Sequence, residues 1–367
     1  MVGAADEGNR TVAIVGGGPA GMALAVALHQ QGVVSQIFDA RPRGAAIADQ
    51  RILALSHGAR QVLEGLGVWR EIDNTPITTI HISQQGGLGI TRIRAEDEGV
   101  PALGYVLAAG GLAAALDRAV AAAGIGFRDQ FRVDPADRPQ APLTVWAEGA
   151  VDADAAVTHD YGQHAVICTA AVAGTHAGRA WERFTPQGPV AVLPFGRDVA
   201  VVLTCAADAA ARTAAADDNS FLAQLQSRFG NRLHFSAVGA RHVFPLGLRY
   251  RRNPVGNRQV WIGNAAQTLH PVAGQGFNLA LRDIHELARC LATASDPGAP
   301  AVLAAYARRR MPDRYAAMGF TDLLVRLFSN DNPLLKHARG AGLLALDLLP
   351  PARSFVARRM MFGARAW

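Results

Sequence analysis

Residues 11–32 read TVAIVGGGPAGMALAVALHQQG, and this stretch determines the fold class. Its short apolar run predicts a buried β-strand, the glycines predict a turn, and the remainder predicts a helix. Gly16, Gly18 and Gly21 have the spacing G-x-G-x-x-G. The first glycine allows a tight turn, the second lets a pyrophosphate approach the backbone, and the third lets the helix pack closely on the strand. The stretch therefore predicts half of a dinucleotide-binding site.

A second β-type run, VSQIF at 34–38, ends at Asp39. That is the expected distance from the glycines for a carboxylate that binds the hydroxyl pair of a ribose. The alternative, a glycine-rich turn that binds nothing, fits this order of strand, glycines, helix, strand and acid poorly. The glycines at 86–89 and 110–111 lack the spacing needed for a second fingerprint. One dinucleotide therefore has a site of its own, and any second one would bind transiently.

Residues 261–283, WIGNAAQTLHPVAGQGFNLALRD, suggest what the dinucleotide is. A β-rich run leads to the polar Asn264, a loop follows with His270, Gly274 and Gly276, and then a helical pattern begins. Glycines ahead of a helix let a planar ligand lie against bare backbone. The helix N-terminus favours negative charge, and a reduced flavin carries its negative charge along one edge of the ring. The alternative is an ordinary strand-to-helix turn.

A third segment, Asp49-Gln50-Arg51 followed by ILALSHGARQVLEGLGVW, lies between these two. Arg51 is placed to meet a phosphate or the flavin edge, although a solvated surface charge is the alternative. Apolar residues near helical spacing predict a helix that Gly67 closes. These apolar residues are Leu55, Ala59, Val62, Leu63 and Leu66.

Together these segments resemble the FAD-dependent aromatic hydroxylases of ubiquinone biosynthesis, and among them the 2-polyprenyl-6-methoxyphenol hydroxylase type. The resemblance covers most of the chain, including WERFTPQGPVAVLPF at 181–195 and TDLLVRLFSN at 321–330. Relatives carry Ala-Asp-Gly followed by Ser and Arg where this chain has Ala147-Glu148-Gly149 without the Ser and Arg. This departure concerns the reductant more than FAD binding. Relatives also often place Arg or Gln facing the flavin near 109–111.

The resemblance implies an α/β fold, with a Rossmann-like FAD-binding domain, an interleaved antiparallel β-sheet substrate domain and C-terminal helices. Within the substrate domain, ITTIHISQQGGLGITRIRA at 77–95 predicts two strands joined by a glycine-rich turn. The predicted domains are 1–72, 100–155 and 255–330 for FAD binding, 73–99 and 156–254 for substrate, and 331–367 for the C-terminal helical segment.

The resemblance also implies the chemistry, which belongs to the cofactor rather than to a protein nucleophile. FAD is held non-covalently, NADPH or NADH reduces it transiently, and one oxygen atom of O2 passes to the ring of a polyprenylated phenol. His270 is a candidate for relaying a proton, with a hydrogen bond that orders the loop as the alternative. Pro194, Phe195 and Phe277 either line the ring pocket or pack in the core. The predicted cofactor-binding residues are Gly16, Gly18, Pro19, Ala20, Gly21, Asp39, Arg41, Arg51, Gly263, Asn264, Pro271, Gly274, Gln275, Gly276, Phe277 and Asn278.

Composition limits the other classes of function. The 367 residues include three isolated cysteines, which indicate a reducing compartment without a disulfide framework or zinc cluster. The net charge of +6 comes with no nucleic-acid-binding signature, so we expect neither a nucleic-acid partner nor a metal. A polar N-terminus, and no apolar stretch of the ~18 residues that a membrane span needs, predict a cytoplasmic protein.

The C-terminal segment 321–367 raises the question of a peripheral contact. It combines apolar runs with seven Arg or Lys residues against three Asp. That balance suits an anionic surface, here the inner face of the plasma membrane, or docking on other ubiquinone-biosynthesis enzymes. The alternative is that these helices only cover the FAD-binding domain.

Other flavin functions fit the sequence less well. A flavin halogenase needs a catalytic lysine, and the single lysine, Lys336, lies in the C-terminal segment. An oxidase or isoprenoid reductase shares the first fingerprint but is not expected to carry HPVAGQGFN. A non-catalytic FAD-binding scaffold in a biosynthetic complex is the rival from another class, because Glu148-Gly149 replaces the Asp-Gly pair.

Overall fold

The computed structural model describes residues 11–87, 89–149, 151–269, 274–328 and 333–365. The strands of this part of the chain are β1 Val12–Val15, β2 Ser35–Phe38, β3 Ile52–Ser56, β4 Asn74–Ile77, β5 Thr79–Gln84, β6 Ile90–Arg94, β7 Gly104–Ala108, β8 Gly126–Arg128, β9 Leu143–Trp146, β10 Ala156–Ala173, β11 Arg179–Phe184, β12 Val190–Phe195, β13 Asp198–Ala206, β14 His234–Val238, β15 His242–Arg251, β16 Val255–Gly256, β17 Gln259–Trp261 and β18 Gln267–Thr268. The helices are α1 Pro19–Gln30, α2 His57–Gly65, α3 Ala109–Ala122, α4 Ala207–Ala215, α5 Asp218–Phe229, α6 Gly276–Ala292, α7 Pro300–Phe328, α8 Pro333–Leu348 and α9 Pro350–Phe362.

The first sheet is organised around β1 and has the order β16-β17-β9-β1-β2-β8. Its strands are parallel except for β16, which pairs antiparallel with β17 at one edge. All four residues of β1 are buried, as expected for a central strand of a parallel sheet that is covered on both faces. Helix α1 packs against α3 and α6. The predicted strand, turn, helix and strand of residues 11–39 thus form the centre of a Rossmann-like unit.

A small antiparallel sheet corrects the prediction for the segment after Arg51. The helical reading of Leu55 is wrong, because Leu55 lies in β3 and pairs with Tyr105 of β7. Helix α2 begins only at His57, where the Ser56 hydroxyl accepts a hydrogen bond from the Ala59 amide at 3.2 Å. This capping serine sets the start of the helix, and backbone pairing with β7 holds the residues before it in a strand.

The second large sheet has the order β18-β15-β10-β13-β12-β11-β5-β6, with β14 also paired to β10. It is antiparallel except for the parallel pair β5 and β11, and β5 and β6 form the hairpin predicted within 77–95. Phe221, Leu225 and Phe229 of α5 pack on one face of this sheet. Because side chains alternate along a strand, the opposite face is free to border a cavity.

Helices α6 and α7 are joined by buried ion pairs. Asp283 accepts a hydrogen bond from Arg310 at 2.7 Å, and Arg282 contacts Asp313 at 2.9 Å. All four groups are nearly inaccessible, so each charge depends on its partner. Farther along, α9 packs against α2. No helix within the described ranges is both long and apolar enough to cross a membrane. The domain boundaries given above stay a prediction.

Candidate functional site

A cavity of about 1380 Å³ extends from the glycine turn after β1 to the second large sheet. Most of the predicted cofactor-binding residues line it, and their contact with FAD itself stays a prediction. Gly16 and Gly21 pack behind the lining, while Pro271 and the candidate proton relay His270 lie outside the described residues. The predicted residues in the lining are Gly18, Pro19, Ala20, Asp39, Arg41, Arg51, Gly263, Asn264, Gly274, Gln275, Gly276, Phe277 and Asn278.

The glycines of the first turn differ in what a side chain would meet. Gly16 has φ +114°, and a Cβ there would lie 2.7 Å from the Cβ of Glu148. A Cβ at Gly21 would overlap the carbonyl oxygen of Gly16, so only glycine lets α1 approach β1 this closely. A Cβ at Gly18 would have no described atom within 4 Å, because Gly18 faces the cavity. The turn thus offers bare backbone, at the N-terminus of α1, to a pyrophosphate.

Asp39 holds this turn in place. Its carboxylate accepts hydrogen bonds from the Gly17 amide and the Arg41 amide, each at 2.7 Å, and from the Arg41 guanidinium at 3.1 and 3.2 Å. Burial alone would raise the pKa of Asp39, but these hydrogen bonds outweigh it and the pKa lies below its ordinary value. A carboxylate has about four acceptor positions. All four are occupied in this structure. A ribose hydroxyl pair would therefore have to displace the hydrogen bonds that the exposed Arg41 side chain donates to Asp39.

The loop at Gly274, just ahead of α6, is fixed by the side chain of Asn278. Its side-chain amide donates to the carbonyl oxygens of Ala54 at 3.0 Å and Gly274 at 2.6 Å, and it accepts from the Ser56 amide at 2.8 Å. Gly274 has φ +60°, a conformation that favours glycine. Gly276 faces the cavity as the first residue of α6. Asn278 therefore joins the loop at Gly274 to β3. Sequence spacing alone does not predict this contact.

Arg51 borders the cavity but is already paired. Its guanidinium makes two-point contact with the Asp49 carboxylate, with a shortest distance of 2.6 Å. This hydrogen bond raises the pKa of Arg51. The carbonyl of Arg51 accepts from the Ala109 amide at 2.8 Å, which places the start of α3 beside it. Arg51 thus borders the cavity with its charge paired to Asp49 and about half of its side chain exposed, and its contact with a phosphate or the flavin edge stays a prediction.

The two departures from the resembled family also lie here. Glu148 and Gly149 line the cavity, and burial, then the neighbouring charge of Asp39, raises the pKa of Glu148. A side chain at Gly110 would overlap the carbonyl oxygen of Ile47, so position 110 has no room for the Arg or Gln of relatives, whereas a Cβ at Gly111 would meet no described atom within 4 Å. The carboxylate at 148 is retained in the cavity, although one methylene longer than Asp.

The far end of the cavity is apolar. The second sheet contributes Ile82, Ala191 and Val202, and helices α7 to α9 contribute further apolar side chains. Phe277 borders the cavity, whereas Phe195 packs in a core cluster with Ile77, Val106 and Ala180. The apolar lining from the helices consists of Phe320, Leu324, Leu327, Leu343, Leu346, Val356, Ala357, Met360 and Met361.

Glu182 of β11 also lines the apolar end of the cavity. It is not among the site residues predicted from the sequence. Burial raises its pKa to about 7. The signal was present in the strand pattern, because Ala180, Glu182 and Phe184 alternate along β11 and all line the cavity. Among the described residues, no group of three or more His, Cys, Asp or Glu could hold a metal ion.

Comparison with known proteins identifies this arrangement. The model of the FAD binding domain matches residues 9–166 and 143–321, which is most of the chain. The chain belongs to the FAD-binding domain family. The open backbone at Gly18, the carboxylate of Asp39 and the loop at 274–276 fit a bound FAD. The predicted cofactor and fold class are confirmed.

Relatives of this FAD-binding chain include hydroxylases of ubiquinone biosynthesis. It is 34% identical over 382 residues to ubiquinone hydroxylase UbiL of Rhodospirillum rubrum, covering 95% of this chain and 89% of that protein. It is 29% identical over 380 residues to 3-demethoxyubiquinol 3-hydroxylase of Escherichia coli, covering 92% and 94%. The structure of p-nitrophenol 4-monooxygenase PnpA from Pseudomonas putida has the same fold, with a TM-score of 0.76, 15% identity, and coverage of 97% and 99%. The predicted class, an FAD-dependent monooxygenase of the ubiquinone-biosynthesis hydroxylases, is confirmed.

We expect Asp39→Ala to weaken FAD binding by about 1–3 kcal/mol, because the Gly17 amide loses its buried acceptor and the ribose loses its carboxylate. Titration of the apoprotein, followed by flavin fluorescence, measures the change. Asp117→Ala is the control, since Asp117 pairs with Arg43 at 2.8 Å away from the cavity lining. Equal FAD affinity in Asp39→Ala and the wild type would contradict the role of Asp39.

We expect Gly276→Val to abolish hydroxylation while the protein stays folded. A Cβ at Gly276 would meet no described atom within 4 Å, so the valine would extend into the cavity, where we expect the flavin ring. Gly65→Val is the control, because Gly65 is exposed at the end of α2 and its Cβ would also be unhindered. Wild-type turnover in a folded Gly276→Val variant would show that the loop does not contact the flavin.

Proposed function

We propose that this enzyme hydroxylates the aromatic ring of a polyprenylated phenol in ubiquinone biosynthesis, with O2 as co-substrate and NADPH or NADH as electron donor. The observation that carries the proposal is the continuity of one cavity, which runs from the pyrophosphate turn at Gly18 to the apolar face around Ile82. At about 1380 Å³ it exceeds the ~300–1,000 Å³ of a usual single-ligand pocket. It has room for a dinucleotide and a second, apolar molecule.

FAD, when bound, supplies the oxygen chemistry, and the protein supplies binding, orientation and exclusion of water. The turn at Gly18 and the N-terminus of α1 would hold the pyrophosphate of FAD. The N-terminus of α6, at Gly276, would favour negative charge on a flavin ring bound beside it. The apolar side chains from the second sheet and from α7 to α9 keep water from the reacting oxygen.

The lining also supports an isoprenoid tail on the substrate. Leu324, Leu343, Leu346 and Met360 come from three different helices and form one apolar wall. Burial of a hydrocarbon tail against such a wall stabilises binding by about 0.8 kcal/mol for each buried CH₂. The electron donor has no second fingerprint to bind, so we infer that it binds transiently near the cofactor end, where Glu148 lies.

Anaerobic and aerobic incubation of the FAD-loaded protein with a short-tailed polyprenyl phenol tests the proposal. With the phenol present, we expect NADPH or NADH to be oxidised, O2 to be consumed and a product heavier by one oxygen atom to form. The amounts of oxidised nicotinamide, consumed O2 and product should be equal. Labelled O2 identifies the source of that atom. FAD binding without product, under either nicotinamide, would favour the non-catalytic scaffold instead.

We further propose a peripheral membrane contact through the exposed side of α8 and α9. Four apolar side chains here are 46–68% exposed: Leu344 and Leu348 of α8, Leu349 between the two helices, and Phe355 of α9. Their helices also line the cavity from the other side, so they connect the surface to the apolar wall. The positive charge of α8 and α9 is partly neutralised, because the Arg358 guanidinium lies 3.4 Å from the Glu98 carboxylate. Apolar contact is therefore the larger contribution to binding, with anionic lipid a smaller one.

We expect Leu348→Ser/Leu349→Ser to weaken co-sedimentation with liposomes several-fold, because two exposed leucines leave the interface. Full-length substitution is preferable to truncation, since α8 and α9 form part of the cavity wall. Val34→Ser/Val243→Ser is the control, as both valines are exposed elsewhere on the protein. If the wild type does not bind anionic liposomes at low salt, or if both double variants bind equally, this surface is not a membrane contact.

A further inference from the structure

The apolar face of the second sheet carries a carboxylate, Glu182, among the residues that line the cavity. Glu182 pairs with Ala191 of β12 on one side and with Ile82 of β5 on the other. Ala180 and Phe184 precede and follow it on the same face of β11, and all these positions line the cavity. Among the described lining residues from this sheet, Glu182 is the one with a carboxylate.

This carboxylate has no hydrogen-bond or ion-pair partner among the described residues. Its side chain is partly buried and borders the open cavity. A buried polar group without a partner is costly, so a residue retained only for packing would be apolar. The position therefore indicates a group that acquires its partner from a ligand.

The neighbouring charged groups do not cause the raised pKa of Glu182. His81 and Arg183 occupy the alternate positions of β5 and β11, and Arg339 of α8 borders the cavity. Burial alone raises the pKa of Glu182, to about 7. The other charged groups of the cavity lie at its cofactor end. They are Asp39, Arg41, Asp49, Arg51, Arg132 and Glu148.

We propose that Glu182 is a catalytic residue that binds the hydroxyl group of the aromatic substrate and accepts its proton. This inference rests on the function proposed above. The phenol donates its hydrogen bond to a carboxylate oxygen of Glu182. The phenolic O–H bond breaks, a new O–H bond forms on Glu182, and the electron pair stays on the phenolate oxygen, which makes the ring more electron-rich. The proton returns to the phenol oxygen before product release, so Glu182 is regenerated.

The kinetic test compares the wild type with Glu182→Gln over pH 5.5 to 9, using 2-geranylphenol as the probe. We expect kcat/KM of the wild type to fall as the pH drops below about 7, where Glu182 becomes protonated. Glu182→Gln keeps the size of the side chain but accepts no proton, so we expect a loss of about 10²-fold in kcat/KM and no such pH limb. Glu96→Gln, an exposed carboxylate, is the matched control and keeps both.

A binding test separates recognition from folding. We expect the wild type to bind 2-geranylphenol about tenfold or more tightly than its methyl ether, the size of one hydrogen bond to a charged group. Glu182→Leu should lose this preference, with both ligands titrated by the change in flavin absorbance. An unchanged ratio of the two Kd values in Glu182→Leu would overturn the proposal.

Stability provides a third readout. A raised carboxyl pKa means that the fold disfavours the ionised form, so its contribution to stability falls as the pH rises from about 4.3 in the unfolded chain toward about 7. We therefore expect Glu182→Gln to have an equal or higher Tm than the wild type at pH 8. A lower Tm, with kcat/KM and its pH limb unchanged, would assign Glu182 a structural role. If the wild type itself forms no product, the proposed function fails first; if it forms product and Glu182→Gln matches it, this inference alone fails.

Discussion

The close approach of α1 to β1 is the constraint on which the rest of the structure depends. A side chain at Gly21 would overlap the Gly16 carbonyl oxygen, and one at Gly16 would collide with Glu148. With both positions bare, the helix N-terminus, the carboxylate of Asp39 and the strand end carrying Glu148 converge on one side of the sheet. Any larger residue would separate these three groups and remove the pyrophosphate site.

The second constraint is the junction between the cofactor end and the substrate end of the cavity. Asn278 fastens the loop at Gly274 to β3 through three hydrogen bonds. Strand β3 in turn pairs with β7, and β7 with β4, just before the second sheet begins at β5. This small sheet links the loop at Gly274 to the apolar face, through backbone pairing between the strands and through the side chain of Asn278 at the loop.

The features of the molecule that depend on local chemistry can be predicted from the sequence. Glycine spacing, the acid at 39 and the loop at 274–276 were visible because each needs particular residue types at fixed separations. The start of α2 was misjudged, because Leu55 satisfies helical and strand patterns alike and only pairing with Tyr105 decides between them. The place of Glu182 depends on strands distant in sequence, β5, β11 and β12, being adjacent in the sheet. Such long-range register cannot be derived from residue spacing in one strand.

We propose that one cavity holds the flavin at Gly274–Gly276 and a phenol against the second sheet at the same time. A crystal structure of the protein with FAD and 2-geranylphenol, prepared without oxygen or reductant, tests it most directly. We expect the isoalloxazine ring at the N-terminus of α6, with the phenol ring between it and Ile82, and the phenol oxygen within hydrogen-bond distance of Glu182. A flavin ring bound elsewhere, or a phenol outside this cavity, would contradict it.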